Sequence, residues 1–353
     1  MLNHRTVCVS TTVALVFSVG ILAQKKDEKK ESEDQKRETQ AVIKIVDDVA
    51  AGQPAPNDFA ATWVHEDFMK AQGNKQYTPF TVTIDPAKAT APTETVTFYW
   101  RVVSKDAPPP PAPDPKDAKK DDKDKKNAKR QEFAYEDRGF IPLSAQSAPM
   151  RITRSLTVPA GSYDVYVAVK EATSQQKNAQ APKASVIKQS LTVPDFWNGE
   201  LTASSVIVAQ RIEPLAAPLT PQQQIERPYA LGSLEIVPVT DMKFKKQAEL
   251  QTFMLIYNPK TDGSNKPDVS VEYSFYTKSA GTEKFFNKTS PQNLNAQTLP
   301  PQFDVSAGHQ LQAGQAVPLA SFPEGDYRLE IKVTDKLGNR SLTRDVNFTV
   351  SGS

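Results

Sequence analysis

The chain has 353 residues, 38% of them apolar, which is enough for more than one core, and 43 basic against 41 acidic residues leave a formal charge of +2. So small a net charge excludes a global electrostatic drive toward nucleic acid or an anionic membrane surface. The 28 prolines, twice the 14 glycines, argue against a helical protein, and a single cysteine excludes a disulfide framework or a cysteine–zinc site.

Residues 1–23 read as a secretory signal peptide. His4 and Arg5 give a short polar start, Val7 to Leu22 is uncharged and mostly apolar, and Ala23 precedes an abrupt run of charge. Cleavage there leaves an exported chain, periplasmic or extracellular, with no integral membrane span. The alternative is an uncleaved N-terminal membrane anchor, although the apolar stretch is short against the about 20 residues a span needs. Cys8 lies inside this segment, so the mature chain has no thiol. Residues 24–39 carry both charge signs with almost nothing to bury, which predicts a charged disordered tether. Val42, Ile45, Val46 and Val49 then recur at helical spacing ahead of Gly52, Pro54 and Pro56, predicting one short amphipathic helix.

From Phe59 the period becomes two. Phe59, Ala61, Trp63 and His65 alternate, Gly73-Asn74 marks a turn, and Phe80, Val82 and Ile84 resume the pattern. Strands are predicted at 95–103, 133–143, 150–157, 162–170 and 184–193. Between them, residues 105–130 open on Pro108-Pro109-Pro110-Pro111 and continue in lysine and aspartate. That composition predicts a disordered insertion looping out between two strands, with a proline-rich ligand or polybasic patch as the functional alternative. Further strands are predicted at 203–209, 233–239, 249–257, 268–277, 316–321, 326–334 and 341–350, with Gly338-Asn339 as the last hairpin turn.

The chain repeats itself. Pro159-Ala-Gly161-Ser-Tyr163-Asp-Val165 recurs as Pro323-Glu-Gly325-Asp-Tyr327-Arg-Leu329, 164 residues later. Val96, Phe98, Trp100 and Val102 match Val269, Val271, Tyr273 and Phe275 at 173 residues, and Phe80, Val82 and Ile84 match Phe253, Leu255 and Tyr257 at the same separation. The fold class predicted is therefore all-β, two tandem immunoglobulin- or fibronectin-like β-sandwich domains at residues 40–195 and 196–353. Trp100 stands where such domains place a core tryptophan, and Tyr163 where they place a corner tyrosine.

No constellation of catalytic or metal-ligating residues appears. His65 and His309 fall one in each copy, and there is no His-Glu-x-x-His, Gly-x-Ser-x-Gly, phosphate-loop or calcium-loop pattern. No catalytic, cofactor-binding or metal residue is assigned and no cofactor is expected. Tyr99, Tyr166 and Tyr276 alternate with the inward set, so they either stack on a sugar or partner or lie buried under another element. Phe196-Trp197, after Pro194 at the junction of the copies, reads as a wedge between domains rather than a ligand platform. Asn287, Asn339 and Asn347 match a glycosylation tripeptide too common to carry weight.

At Val193-Pro-Asp-Phe196, at Leu201-Thr-Ala-Ser-Ser-Val-Ile-Val-Ala209, at Tyr257-Asn-Pro259 and at Phe322-Pro-Glu-Gly-Asp-Tyr327 the chain resembles exported bacterial proteins whose β-sandwich regions accompany the so-called GWxTD domain. The match lies mostly in the second copy, and the Gly-Trp-x-Thr-Asp sequence is absent, so no role of that domain carries over. The resemblance implies an exported bacterial sandwich protein without a known catalytic centre and supplies no site residues. The reading that follows is a non-catalytic envelope protein acting as a binding, adhesion or scaffold module with a protein or glycan partner. The rivals are a carbohydrate-binding module using Trp63, Tyr99 or Tyr166, and an enzyme with an interdomain site.

Overall fold

The computed structural model describes residues 32–89, 95–106, 133–143, 149–174, 180–279 and 281–352. The signal segment, residues 24–31 of the expected tether and residues 107–130 of the expected insertion lie outside the described residues. The described residues are all-β in class, with twenty strands and two α-helices.

The N-terminal half begins with helix α1 (Glu33–Ala50) and continues with β1 (Thr62–Glu66), β2 (Met69–Lys70), β3 (Gln76–Ile84), β4 (Thr95–Ser104), β5 (Tyr135–Pro142), β6 (Met150–Val158), β7 (Gly161–Glu171) and β8 (Ala184–Val193). One sheet runs β5-β4-β7-β8. In the other, β3 lies between β6 and the pair β1 and β2. Phe80, Val82 and Ile84 of β3 with Ile152, Leu156 and Val158 of β6 share a buried cluster with Phe98, Trp100 and Val102 of β4 and Tyr163, Val165 and Val167 of β7. Each such side chain contributes roughly 1.5–3 kcal/mol on burial. The Trp100 indole completes the join by donating to the Ser155 carbonyl oxygen at 3.0 Å.

Helix α1 contains the amphipathic helix expected from Val42, Ile45, Val46 and Val49, and corrects the expected tether over residues 33–39. It starts at Glu33 because Ser32 and Gln35 form a reciprocal capping box and Glu33 and Asp34 stand in the first turn. Its charges are also less free than composition suggests. Glu38 is buried with Val42 and Val46 on one face, one turn apart. That face packs on the outer side of the β4 sheet, where Val42 and Val46 meet Tyr99, Tyr166, Ala168 and Val186. Lys170 donates to Glu38 at 2.6 Å and Arg101 to Asp47 at 2.5 Å, so two ion pairs clamp the helix.

The C-terminal half comprises β9 (Thr202–Ala203), β10 (Ile207–Pro214), α2 (Pro221–Glu226), β11 (Ala230–Leu231), β12 (Leu234–Pro238), β13 (Lys243–Lys245), β14 (Glu249–Tyr257), β15 (Val269–Ser279), β16 (Thr282–Lys288), β17 (Gln292–Leu294), β18 (Leu311–Pro318), β19 (Gly325–Asp335) and β20 (Arg340–Ser351). Its sheets run β11-β12-β10-β14-β18, with β9 on β14, and β13-β20-β19-β15-β16, with β17 on β15. A second buried cluster joins Leu250, Met254 and Ile256 of β14 to Val271, Tyr273 and Phe275 of β15 and Tyr327, Leu329 and Ile331 of β19.

The internal repeat survives in the ladders. Trp100 pairs with Val167 in the first half and Tyr273 with Ile331 in the second, which are the same two positions of the repeat. One expected match fails. Phe80, Val82 and Ile84 face their own core, whereas Phe253, Leu255 and Tyr257 face away from theirs, into a third cluster. Equating those strands at 173 residues slips the register by an odd number, which exchanges faces. The expected strand at 316–321 also lies earlier, at Leu311–Pro318.

The third cluster joins the halves. The outer face of the β14 sheet contributes Ile207, Ala209, Leu231, Ile236, Phe253, Leu255 and Tyr257, and the first half contributes Phe68, Met69, Tyr77 and Phe196. Polar ties edge it. Tyr77 donates to the Pro228 carbonyl at 2.9 Å, and Phe68 and Ser205 exchange two hydrogen bonds through the Phe68 backbone.

Candidate functional site

Where the halves meet, the hairpin joining β2 to β3 leans over the end of β14. The hairpin turns at Gly73 and Asn74, both with positive φ, the sequence-predicted turn. It delivers Lys70 beside Trp197, which follows β8 on the connecting segment. The Lys70 ammonium lies 4.1 Å from the Trp197 ring centroid and 5.9 Å from that of Tyr257. The Lys70 backbone N–H donates to the Tyr257 hydroxyl at 3.0 Å, and the Trp197 indole N–H donates to the Lys75 carbonyl at 3.1 Å.

Asn258 locks this arrangement. It sits in the left-handed region at φ 57°, a conformation asparagine tolerates better than most residues. Its amide nitrogen donates to the carbonyls of Phe196 and Glu200, and its amide oxygen accepts from Lys70 at 3.1 Å.

The result is a cleft of about 320 Å³ whose walls include Lys70, Trp197, Tyr257, Pro259, His309 and Leu311. Trp197 is 41% exposed, one of three large hydrophobic residues left open among those described. Burial depresses the Lys70 pKa, against which the charge of Asp195 acts only in part. His309 accepts from the Asp304 backbone N–H through Nδ1 at 2.9 Å. In the neutral ring that assigns the proton to Nε2.

The two histidines therefore do not converge. A bulge between Trp63 and His65 pairs Trp63 with Val82 and His65 with Thr81, so these two residues face opposite sides of the sheet instead of one. Trp63 stacks on Phe80 at 4.7 Å, and His65 reaches Asp67 at 2.9 Å. Asp67, 1% exposed, also accepts from the Tyr229 hydroxyl of the other half at 2.6 Å. Burial and the Asp67 charge push the Tyr229 hydroxyl well above its ordinary pKa. Burial disfavours the charged His65 ring, and the Asp67 hydrogen bond and charge outweigh it, leaving the His65 pKa raised.

Tyr99 and Tyr166, the residues expected either to stack on a sugar or to lie buried, are covered by α1 at 1% and 5% exposure. Tyr276 is half-buried between Phe285 and the Arg328 guanidinium. Phe196 is buried at the joint and Trp197 beside it is open, so the pair wedges and lines the cleft at once. Lys70, Asn258 and Tyr257 escaped sequence reasoning. The available signal was the aromatic pair Phe196-Trp197 shortly after Pro194, where the two copies of the repeat meet. Among the described residues no cluster of three or more histidine, cysteine or acidic side chains could hold a metal ion, and no helix is long and apolar enough to cross a membrane.

No family of known proteins matches the chain, and no curated protein does. Solved structures that share some of its shape are bacterial α2-macroglobulins. The trypsin-activated protein from Escherichia coli aligns at 11% identity and a TM-score of 0.23, covering 85% of this chain and 17% of that one. The methylamine-reacted Salmonella protein aligns at 10% identity and a TM-score of 0.20 over the same shares. The chain thus spans about a sixth of those proteins, and likeness at this level carries no argument about function.

Proposed function

We propose that the protein is an exported, non-catalytic binding module of the cell envelope, two immunoglobulin- or fibronectin-like sandwiches in tandem that present the cleft between them to a protein or glycan partner. The sandwich reading is supported by facing sheets around each core and by the shared register of the β4–β7 and β15–β19 ladders. Export is supported by the apolar segment ending at Ala23. The single observation that carries the binding reading is the open Trp197 ring with the Lys70 ammonium over it, held at a joint whose other aromatic and apolar side chains are mostly buried. Exposed aromatic and cationic groups beside a rigid apolar base are the kind of residues that dominate binding surfaces.

The test is recovery of a bound species from envelope extract by the immobilised mature chain and by Trp197→Ala. Loss of the captured species in the variant supports the reading. Equal capture by both chains overturns the cleft as the binding surface.

A further inference from the structure

Resting on the reading of the cleft as the binding surface, we propose that it holds the C-terminal end of a peptide, with the free carboxylate on Lys70 and His309 and an apolar last side chain against Trp197. The argument begins with an unneutralised charge. Lys70 has three N–H donors, one of which goes to the Asn258 amide oxygen, and it forms no ion pair among the described residues. Asp195 influences it only through charge, and that carboxylate is already turned to the Trp197 backbone N–H at 2.8 Å. A half-buried ammonium without a counterion is costly, and a carboxylate brought by a ligand relieves that cost.

The second donor, His309, lines the same cleft. With Nδ1 of His309 occupied by Asp304 N–H, Nε2–H is the nitrogen left to donate. Asp304, the nearest acid in that loop, is engaged by Ser306 N–H, Ser306 hydroxyl and Ala307 N–H. One ammonium and one imidazole suit a single negative charge. A phosphate would call for a guanidinium fork or several cations, and neither lines this cleft. A neutral sugar would leave the ammonium as it is.

Size and surroundings narrow the ligand further. A volume of about 320 Å³ lies at the small end of ligand pockets and admits a terminal residue rather than a long segment. Beyond the two donors the apolar surface left open in the walls comes from Pro259, Val305 and the Trp197 indole. An apolar side chain carried next to the carboxylate covers those walls, which a bare acidic side chain does not.

The test screens the full chain against an array of hexapeptides with free C-terminal carboxylates, each also present as its C-terminal amide, followed by titration calorimetry on the best binder. The expected result is binding of free-acid peptides ending in apolar residues, weakened about tenfold or more by amidation, because a charge-assisted hydrogen bond is lost. Lys70→Met should weaken the free acid to a similar degree and leave the amide unaffected, and Lys70→Arg should restore part of the loss. Amidation needs no protein variant, so the result does not depend on Lys70→Met folding. Binding indifferent to amidation but abolished by Trp197→Ala overturns the carboxylate and leaves the cleft as the binding surface. Equal binding by amidated peptides with an internal glutamate overturns the chain terminus. Binding unchanged by both Lys70→Met and Trp197→Ala overturns the carboxylate and the cleft together. No binding in either series overturns the peptide terminus, and capture from envelope extract then decides the cleft alone.

Discussion

Tyr163 and Tyr327 make the same hydrogen bond. Each donates its hydroxyl to the carbonyl of the proline four residues earlier, Pro159 at 3.0 Å and Pro323 at 2.7 Å, although the two share no contact and lie in different cores. Between each proline and its tyrosine stands a glycine at positive φ, 151° at Gly161 and 145° at Gly325, where a side chain is strained. The backbone can therefore turn tightly enough for the ring to fold back over the corner it has just left.

Because each ring is buried and its hydroxyl has one partner, Tyr163→Phe and Tyr327→Phe should each cost about 0.5–1.5 kcal/mol and the alanine variants about 3–5 kcal/mol. Alanine at Asp164, whose ion pairs with Lys105 and Lys188 lie near the surface, should cost about 1 kcal/mol or less. Urea denaturation of the four tyrosine variants checks the equivalence. A large cost at one tyrosine and none at its counterpart would show that the corners are not the same device.

The Glu38–Lys170 pair yields a sharper contrast. Both side chains are buried, and Lys170 also donates to the Glu171 carbonyl and the Thr173 hydroxyl. Removing one partner strands the other charge, so Lys170→Met alone should destabilise the docking of α1 by about 3–5 kcal/mol. Lys170→Met with Glu38→Leu should recover most of that loss, because two apolar side chains in the same space carry no desolvation cost. Burial opposes ionisation of Glu38, but Lys170 and Thr173 hold its pKa below the usual 4.5. A lowered folded-state value stabilises above the unfolded pKa and is lost as pH falls through the folded one, so α1 should loosen below about pH 4. Hydrogen exchange of α1 amides across that range reads both effects.

How far the sequence discloses this fold depends on whether a strand has one wet face. Strands β15 and β19 alternate buried with open residues and carry the repeat clearly, whereas β4 and β7, covered by α1 on their outer face, keep the alternation only in part. By contrast β14 is buried on both sides, with Met254 and Ile256 in the core and Phe253 and Leu255 at the joint. Its run of apolar residues has no parity to read, and the match to β3 settles on the wrong face. The C-terminal half of α1 is legible in the spacing of Val42, Ile45, Val46 and Val49, but its first turns hid for the opposite reason. Glu38 and Lys170 are charged in composition and buried in fact, a pairing across 132 residues that no local pattern encodes. At the candidate site Trp197 was legible only as part of a wedge, not as an open surface, while Lys70 and Asn258 owe their roles to docking between halves.

His65 should make the joint sensitive to pH. Its raised pKa places the stabilising charge below the ordinary value of about 6.5, and the contribution is lost as pH rises through the folded-state value. The facing groups are Asp67, which holds the ring, Glu66 beside it and Tyr229 across the joint. Stability measured by chemical denaturation should therefore decline as pH rises above about 6.5, and His65→Gln should flatten that decline. A profile identical in the two proteins would remove His65 from the account.

The joint itself decides whether the halves can live apart. Across it, Tyr229, Leu231, Ile236, Phe253, Leu255 and Tyr257 of the β14 sheet are each 5% exposed or less, covered by Phe68, Met69, Tyr77 and Phe196. A fragment of residues 199–353 would open that face to water, and a contiguous apolar patch of several hundred Å² drives association. We expect this fragment to self-associate in light scattering and to melt below the full chain, by about 2–4 °C for each kcal/mol lost in a unit of this size. The fragment of residues 32–195 loses a smaller apolar surface, since Phe68, Met69 and Tyr77 come from a hairpin and one strand, and it should remain monomeric with α1 docked. Leu255→Glu in the full chain should reproduce part of the destabilisation without cutting the backbone. A monomeric C-terminal fragment melting at the temperature of the full chain would mean that the two cores are autonomous and that the third cluster is only their contact.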